Sequence, residues 1–388
     1  MSKALLACAC WLVVIAGCGD GEAPLGSEAG ADEPIGADFG DPPEIDTGPD
    51  PCIDLERCPS DGVDSEAGGD ADLMSGSSEH AVGSKLLVRT YAWMRKQPDA
   101  SAAAIHDIEP HRGVDNDSHP GQPAGMIPPG QRVRLEDSAP QNGFFKVRYD
   151  DRVGWIHSDK LLLVDDSLHP VDFASKPKAR DAFFKRQVRW YRYNKDGPAS
   201  SGNCGPTSLA MARLIFGKEP PGLSIEQSIH QARKSCCGGG DGDGTTASEM
   251  AHAGALGLEH LPKTDAQKSV FWNSNRSPHQ VLEHVDGQLA KKRVYALIGV
   301  PDATYRHEMT QLHEKEGVSY TYTYGAHHDP PHHSERHFIL IVSKLEGGKY
   351  LVGDPLSRIG MVVMSREALR GYVAASDIRA GNAYWAAP

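Results

Sequence analysis

Residues 19–84 set the tightest limit on what this chain can fold into. They carry eighteen acidic side chains against Arg57 alone, are rich in Gly, Pro, Ser and Ala, and hold almost no aromatic or periodic apolar residues. Such a stretch cannot bury enough apolar surface to offset the entropy of ordering its backbone, so it is expected to be a disordered acidic tether. A flexible chain of that length reaches about 45 Å, and further when like charges repel. The 388 residues together have a formal net charge of −12, smaller in magnitude than that of the tether, so the remainder is net cationic. Those cations are dispersed, which gives no argument for nucleic acid as a partner.

Ahead of the tether, Lys3 supplies one positive charge, a short apolar run follows, and small residues precede Cys18. This pattern reads as an export signal, too short to span a membrane. Ile15-Ala16-Gly17-Cys18 further resembles a bacterial lipobox. The resemblance implies that residues 1–17 are removed and that Cys18 carries lipid at the new N-terminus. Ordinary signal cleavage beside an incidental cysteine is the competing reading. A lipid anchor implies an exported protein held in the bacterial cell envelope, at the outer membrane in a Gram-negative host. Cysteine usage agrees with an oxidising compartment: Cys8 and Cys10 leave with the signal, and Cys52 and Cys58 are near enough to form a disulfide. Cys236 and Cys237 are adjacent and read equally as a bridge or as two loop thiols. Cys204 is then the odd thiol.

Cys204 lies in Asn203-Cys204-Gly205-Pro206-Thr207-Ser208, where a glycine-containing loop turns into an apolar helix ended by Gly217. Pro206 costs nothing in a first turn, because its missing N–H would be unpaired there anyway. The unpaired N–H groups and partial positive charge of that turn favour thiolate over thiol. About 130 residues on, His337 heads the apolar run Phe338-Ile339-Leu340-Ile341-Val342, the pattern of a buried strand. After the turn Leu345-Glu346-Gly347-Gly348, a second short strand ends at Gly353-Asp354-Pro355. Paired as a hairpin, the two strands would carry an imidazole and a carboxylate at one edge. In that arrangement the imidazole takes the thiol proton, and the acid holds the ring in one tautomer.

These three motifs, in this order, resemble papain-like cysteine peptidases, and more narrowly cysteine peptidase family thirty-nine, the double-glycine leader peptidases with their stand-alone relatives. The resemblance spans roughly residues 187 to 375. It implies an α+β papain-like fold in which Cys204 is the nucleophile, His337 the general base and Asp354 the orienting acid, acting on a peptide substrate with no cofactor. Gly244 to Met250 reads as a second helix start and Arg293 to Val300 as a central strand. The family's usual oxyanion glutamine is missing. Asn194 is the substitute amide, with Asn203 and Gln187 behind it.

Between tether and peptidase-like region, residues 85–165 form short β-rich runs separated by Pro-Gly and Asn-Gly turns, which suggests a separate small all-β barrel. Gly143-Phe144-Phe145-Lys146-Val147 and Gly154-Trp155-Ile156 resemble the bacterial Src-homology-three-like barrel, interrupted by an insertion from Ala103 to Gly125. That resemblance implies peptidoglycan as a partner. Trp155 reads first as core packing and second as a ligand-stacking residue. Residues 166–186 read as a linker with a short basic helix around Arg180 to Arg189. The expected organisation is therefore a signal (1–17), an acidic tether (18–84), a barrel (85–165), a linker (166–186) and a peptidase-like domain (187–388).

Two clusters are set aside. His327 to His333 holds several imidazoles, but Pro330 and Pro331 forbid helical ligand spacing, so no metal site is assigned and the segment reads as a loop beside the active site. Gly238 to Gly244 matches half a calcium loop in composition and lacks the distal glutamate. The function expected is that of an exported, lipid-anchored cysteine peptidase or amidase. A surface binding protein on the same fold without turnover, and an acyl-transfer enzyme using the same triad, are the alternatives.

Overall fold

The computed structural model describes residues 80–105, 126–185, 203–223, 225–236, 245–251, 258, 270–318, 320, 336–374 and 381–386. The signal with Cys18, the tether with Cys52 and Cys58, Gln187, Asn194 and the His327 to His333 loop lie outside the described residues. The chain divides into two units, Met1–Pro51 and Cys52–Pro388. All described residues belong to the second.

Among the described residues, seven strands come first: β1 (Lys85–Val88), β2 (Ala92–Trp93), β3 (Met126–Ile127), β4 (Arg132–Leu135), β5 (Phe144–Tyr149), β6 (Arg152–His157) and β7 (Leu161–Leu163). Five of them make an antiparallel sheet in the order β6-β5-β4-β1-β7, and β2 pairs with β3 alone. Period-two alternation sends Phe145, Val147 and Tyr149 into a core with Leu86, Val88, Val133, Leu135 and Ile156. The expected closed barrel is corrected, because among the described residues β6 and β7 remain the edges of an open sheet. The outer side of β6 is instead taken by one residue, Arg95, whose backbone exchanges hydrogen bonds of 2.8 and 2.9 Å with Trp155. Trp155 itself is half-buried on the face opposite Ile156, with Lys146 Nζ 6.0 Å from its ring centre, and is not among the core residues.

Residues 166–186 are not a bare connection. They carry α1 (Pro170–Ala174) and a 3-10 turn at Arg180–Phe183. Val171, Phe173, Ala182 and Phe183 are buried in one core with Leu87 and Leu162 of the five-stranded sheet. The same core receives α2 (Cys204–Ile215), every residue of which is buried. Helix α2 stops in a Schellman turn: Gly217, at φ 66°, donates to Leu214 O at 3.0 Å, and Lys218 donates to Arg213 O at 2.9 Å. Arg132 of β4 adds side-chain donors at the same end, to Leu214 O at 3.2 Å and Ile215 O at 3.0 Å. A cation there also opposes the negative end of the helix dipole. Arg132→Ala is therefore expected to lower stability by about 1–3 kcal/mol, read by urea unfolding. An unchanged midpoint would contradict this account.

The rest of the unit comprises α3 (Ile225–Cys236), α4 (Ala247–Ala251), β8 (Val270–Trp272), α5 (Pro278–Leu289), β9 (Val294–Gly299), α6 (Ala303–Lys315), β10 (His337–Lys344), β11 (Tyr350–Gly353), β12 (Val362–Met364), α7 (Arg366–Ala374) and β13 (Gly381–Trp385). Its six strands form a second antiparallel sheet in the order β12-β11-β10-β9-β13-β8. Helices cover both faces. Val294, Ala296, Ile298, Phe338, Leu340 and Val342 share a core with α2, while Tyr295, Leu297, Ile339 and Ile341 share one with α5, α6 and α7. A sheet buried on both sides needs continuous apolar strands, which is why 338–342 shows no alternation. Gly353 lets α2 approach closely, since a Cβ there would lie 2.9 Å from Met211 Sδ. The architecture is mixed α+β with antiparallel sheets.

Candidate active site

The site forms where the start of α2 meets the ends of β10 and β11. Asn203 occupies the N-cap position of α2, yet its side chain makes no capping bond. Arg233 of α3 holds it instead, donating from Nε to Asn203 Oδ1 at 2.5 Å. The first turn thus keeps backbone N–H groups for other acceptors. The N–H groups of Gly205 in that turn and of Phe338 both favour the Cys204 thiolate. Cys204 is buried and is a free thiol.

His337 begins β10, and Asp354 follows the last residue of β11. The hairpin register pairs Leu340 with Gly353, which brings the two ends together. His337 Nε2 lies 2.7 Å from Asp354 Oδ1, with the side chains 1% and 0% exposed. Because Nε2 is engaged, Nδ1 is the ring nitrogen left to serve the thiol, and Cys204 and His337 each favour the other's charged form. The three residues picked out by sequence are therefore brought together, the imidazole bonded to the carboxylate and interacting with the thiol.

Two tyrosines complete the surroundings, and nothing in the sequence singled them out. Tyr305 sits in the first turn of α6, which is capped by Asp302 Oδ1 accepting from the Tyr305 N–H at 2.8 Å. Its hydroxyl donates to Asp354 Oδ2 at 2.8 Å. The other carboxylate oxygen also accepts the N–H of Leu356 at 2.9 Å. Tyr372 of α7 donates its hydroxyl to the carbonyl of His337 and packs against Tyr305, with ring centres 4.8 Å apart. Gly299, the β9 partner of His337, makes room for it, since a Cβ there would come 2.3 Å from the Tyr372 ring. The segment after Asp354 is held by His313, which donates from Nδ1 to Met309 O at 2.8 Å and accepts the Arg358 N–H on Nε2 at 3.0 Å. Using one ring nitrogen as donor and the other as acceptor makes this histidine neutral.

Charge in the site follows from these contacts. Burial opposes ionisation of Cys204. The interaction with His337 and its charge, with the Phe338 and Gly205 N–H groups, outweigh it and hold the thiol below its ordinary value of 9.0. Burial likewise opposes protonation of His337, but the Asp354 charge and hydrogen bond, with those of Cys204, raise it to about 10. Desolvation would raise Asp354, and His337, the Leu356 N–H and the Tyr305 hydroxyl together keep it below the usual carboxylate range. The favoured state is a thiolate–imidazolium pair over a buried carboxylate.

Of the other residues considered, Asn203 lies beside the thiol but is turned to Arg233. Cys236, at the end of α3, is disulfide-bonded, so the reading of two loop thiols is dropped. Among the described residues no group of three or more His, Cys, Asp or Glu side chains could hold a metal ion, and no helix is long and apolar enough to cross a membrane. No protein-family model matches the chain, and neither a curated protein nor a solved structure matches it.

Proposed function

We propose that this protein is a papain-like cysteine peptidase or amidase, exported and lipid-anchored through Cys18. The observation that carries the reading is a buried His337–Asp354 pair, 2.7 Å apart, that interacts with a buried free thiol, Cys204, at the start of a helix. In the proposed reaction the Cys204 sulfur attacks a peptide or amide carbonyl, forming a C–S bond. The His337 imidazolium gives its proton to the departing amine as the C–N bond breaks. His337 then takes a proton from water, whose oxygen attacks the thioester and frees the thiolate. Asp354 keeps Nδ1 facing the sulfur throughout. The Cys204 N–H and the side-chain amide of Asn194 are assigned to the oxyanion. The N-terminal sheet is assigned to cell-wall peptidoglycan.

The test is incubation of the wild-type and Cys204→Ala proteins with muropeptides and, separately, with a peptide library. New cleavage products and a thioester adduct at Cys204 are expected with the wild type alone. Equal products from both proteins would overturn the reading. The pH profile of kcat/KM should be a bell. The thiolate is present above the lowered Cys204 value, so activity rises below pH 9.0. The imidazolium is lost as pH passes about 10, so activity falls there. A single rise centred near an ordinary thiol value would contradict the ion pair.

A further inference from the structure

We infer that Tyr305 is a positioning residue of this site, acting through its hydroxyl to keep Asp354 ionised and aimed at His337. The inference rests on the proposed catalytic reading of Cys204, His337 and Asp354. Asp354 is fully buried, and a buried carboxylate persists as an anion only when its oxygens have donors. Oδ1 has two, His337 Nε2 and the Leu356 N–H. Oδ2 has the Tyr305 hydroxyl at 2.8 Å. Tyr305 is itself fully buried and fixed at both ends. Its N–H is held by Asp302 and its ring lies against Tyr372, so the hydroxyl is aimed by the fold and cannot swing to solvent.

Among the described residues, the donors nearest the carboxylate on β10, α6 and α7 have other partners. His337 from β10 uses Oδ1, and Cys204 from α2 lies beyond that imidazole. From α6, His313 is committed to Met309 O and the Arg358 N–H. From α7, the Tyr372 hydroxyl is committed to the His337 carbonyl. Tyr320 has its ring against His313, with centres 4.8 Å apart. Loss of the Tyr305 hydroxyl would leave Oδ2 stranded in an apolar wall. The proton affinity of Asp354 would then rise, and as pH falls through its new value His337 would lose its anion and Cys204 its imidazolium.

The experiment follows site-resolved alkylation of Cys204 by iodoacetamide against pH, in the full-length chain, by mass spectrometry. In Tyr305→Phe the acid limb should move up by about one pH unit, an approximately tenfold lower rate on its slope, as loss of one hydrogen bond to a buried anion implies. In an Asp354→Asn background the same change should have no further effect on the profile. Tyr372→Phe, which removes a hydroxyl from the same cluster but not from the carboxylate, should leave the acid limb in place. Fluorinated tyrosine at position 305 keeps the fold and strengthens the donor, so it should move the limb to lower pH even if the phenylalanine variant fails to fold. A limb that stays put in both Tyr305 variants, with the wild-type thiol still His337-dependent, overturns the role of Tyr305 alone. A wild-type thiol no more reactive than a cysteine peptide, and indifferent to His337→Ala, overturns the catalytic reading beneath it.

Discussion

His337→Ala is expected to lower the alkylation rate of Cys204 at neutral pH by about a hundredfold or more. The wild-type thiol sits in a buried place that disfavours its charge, and the partner that reverses this preference is the imidazolium. Without it the same burial acts unopposed. The thiol pKa then climbs past its ordinary value, and under about one per cent remains thiolate at pH 7. The two backbone N–H groups at the sulfur remain, so the residual rate measures what the helix start contributes alone. Turnover should fall further, on the order of 10⁴-fold, because the leaving group also loses its proton donor. Site-resolved mass spectrometry gives the first number and product release the second. An unchanged alkylation rate would mean that the Cys204–His337 contact does not govern the thiol.

Glu219→Gln should cause the largest loss of stability, about 3–5 kcal/mol. Lys185 Nζ and Glu219 Oε1 are 2.9 Å apart with both side chains 2% exposed, and Ser228 of α3 donates to Glu219 Oε2 at 2.9 Å. This pair ties the residues after the 3-10 turn to the α2–α3 connection. Glutamine has nearly the same shape, so the change leaves packing alone and strands an ammonium without its counter-charge. Lys185→Met combined with Glu219→Leu should recover most of the loss, since removing both charges also removes the need to desolvate them. Denaturant unfolding of the single and double variants checks both statements. A single variant as stable as the wild type would show that water reaches Lys185.

Which residues could be read from sequence, and which could not, follows from how local their signals are. Cys204 was legible because a helix start announces itself within a few residues: a loop, a proline in the first turn, then apolar positions and a terminal glycine. His337 and Asp354 were legible because a strand buried on both faces is a continuous apolar run, and a Gly-Gly turn between two such runs implies a hairpin. Arg293 to Val300 became β9 for the same reason. Trp155 was misread because alternation in β6 places Ile156 inward, and the tryptophan therefore outward. The burial of Phe173 and Phe183 was missed because it depends on a core that joins Leu87 and Leu162 of the sheet to α1, the 3-10 turn and α2.

By itself the sequence determined that residues 19–84 lack the apolar content for a core, that a lone thiol begins a helix, and that a histidine and an acid end two adjoining strands. Those are consequences of composition and of periods of two and 3.6 residues, which act over a few positions. Only the tertiary structure decided that the imidazole turns Nε2 to Asp354, that Arg233 draws Asn203 away from capping the helix, and that Tyr305, 49 residues before Asp354, supplies a hydroxyl to its second oxygen. Such choices depend on which buried donors and acceptors meet. Burial makes every unmet one costly, and the meeting is set by packing between segments far apart in the chain.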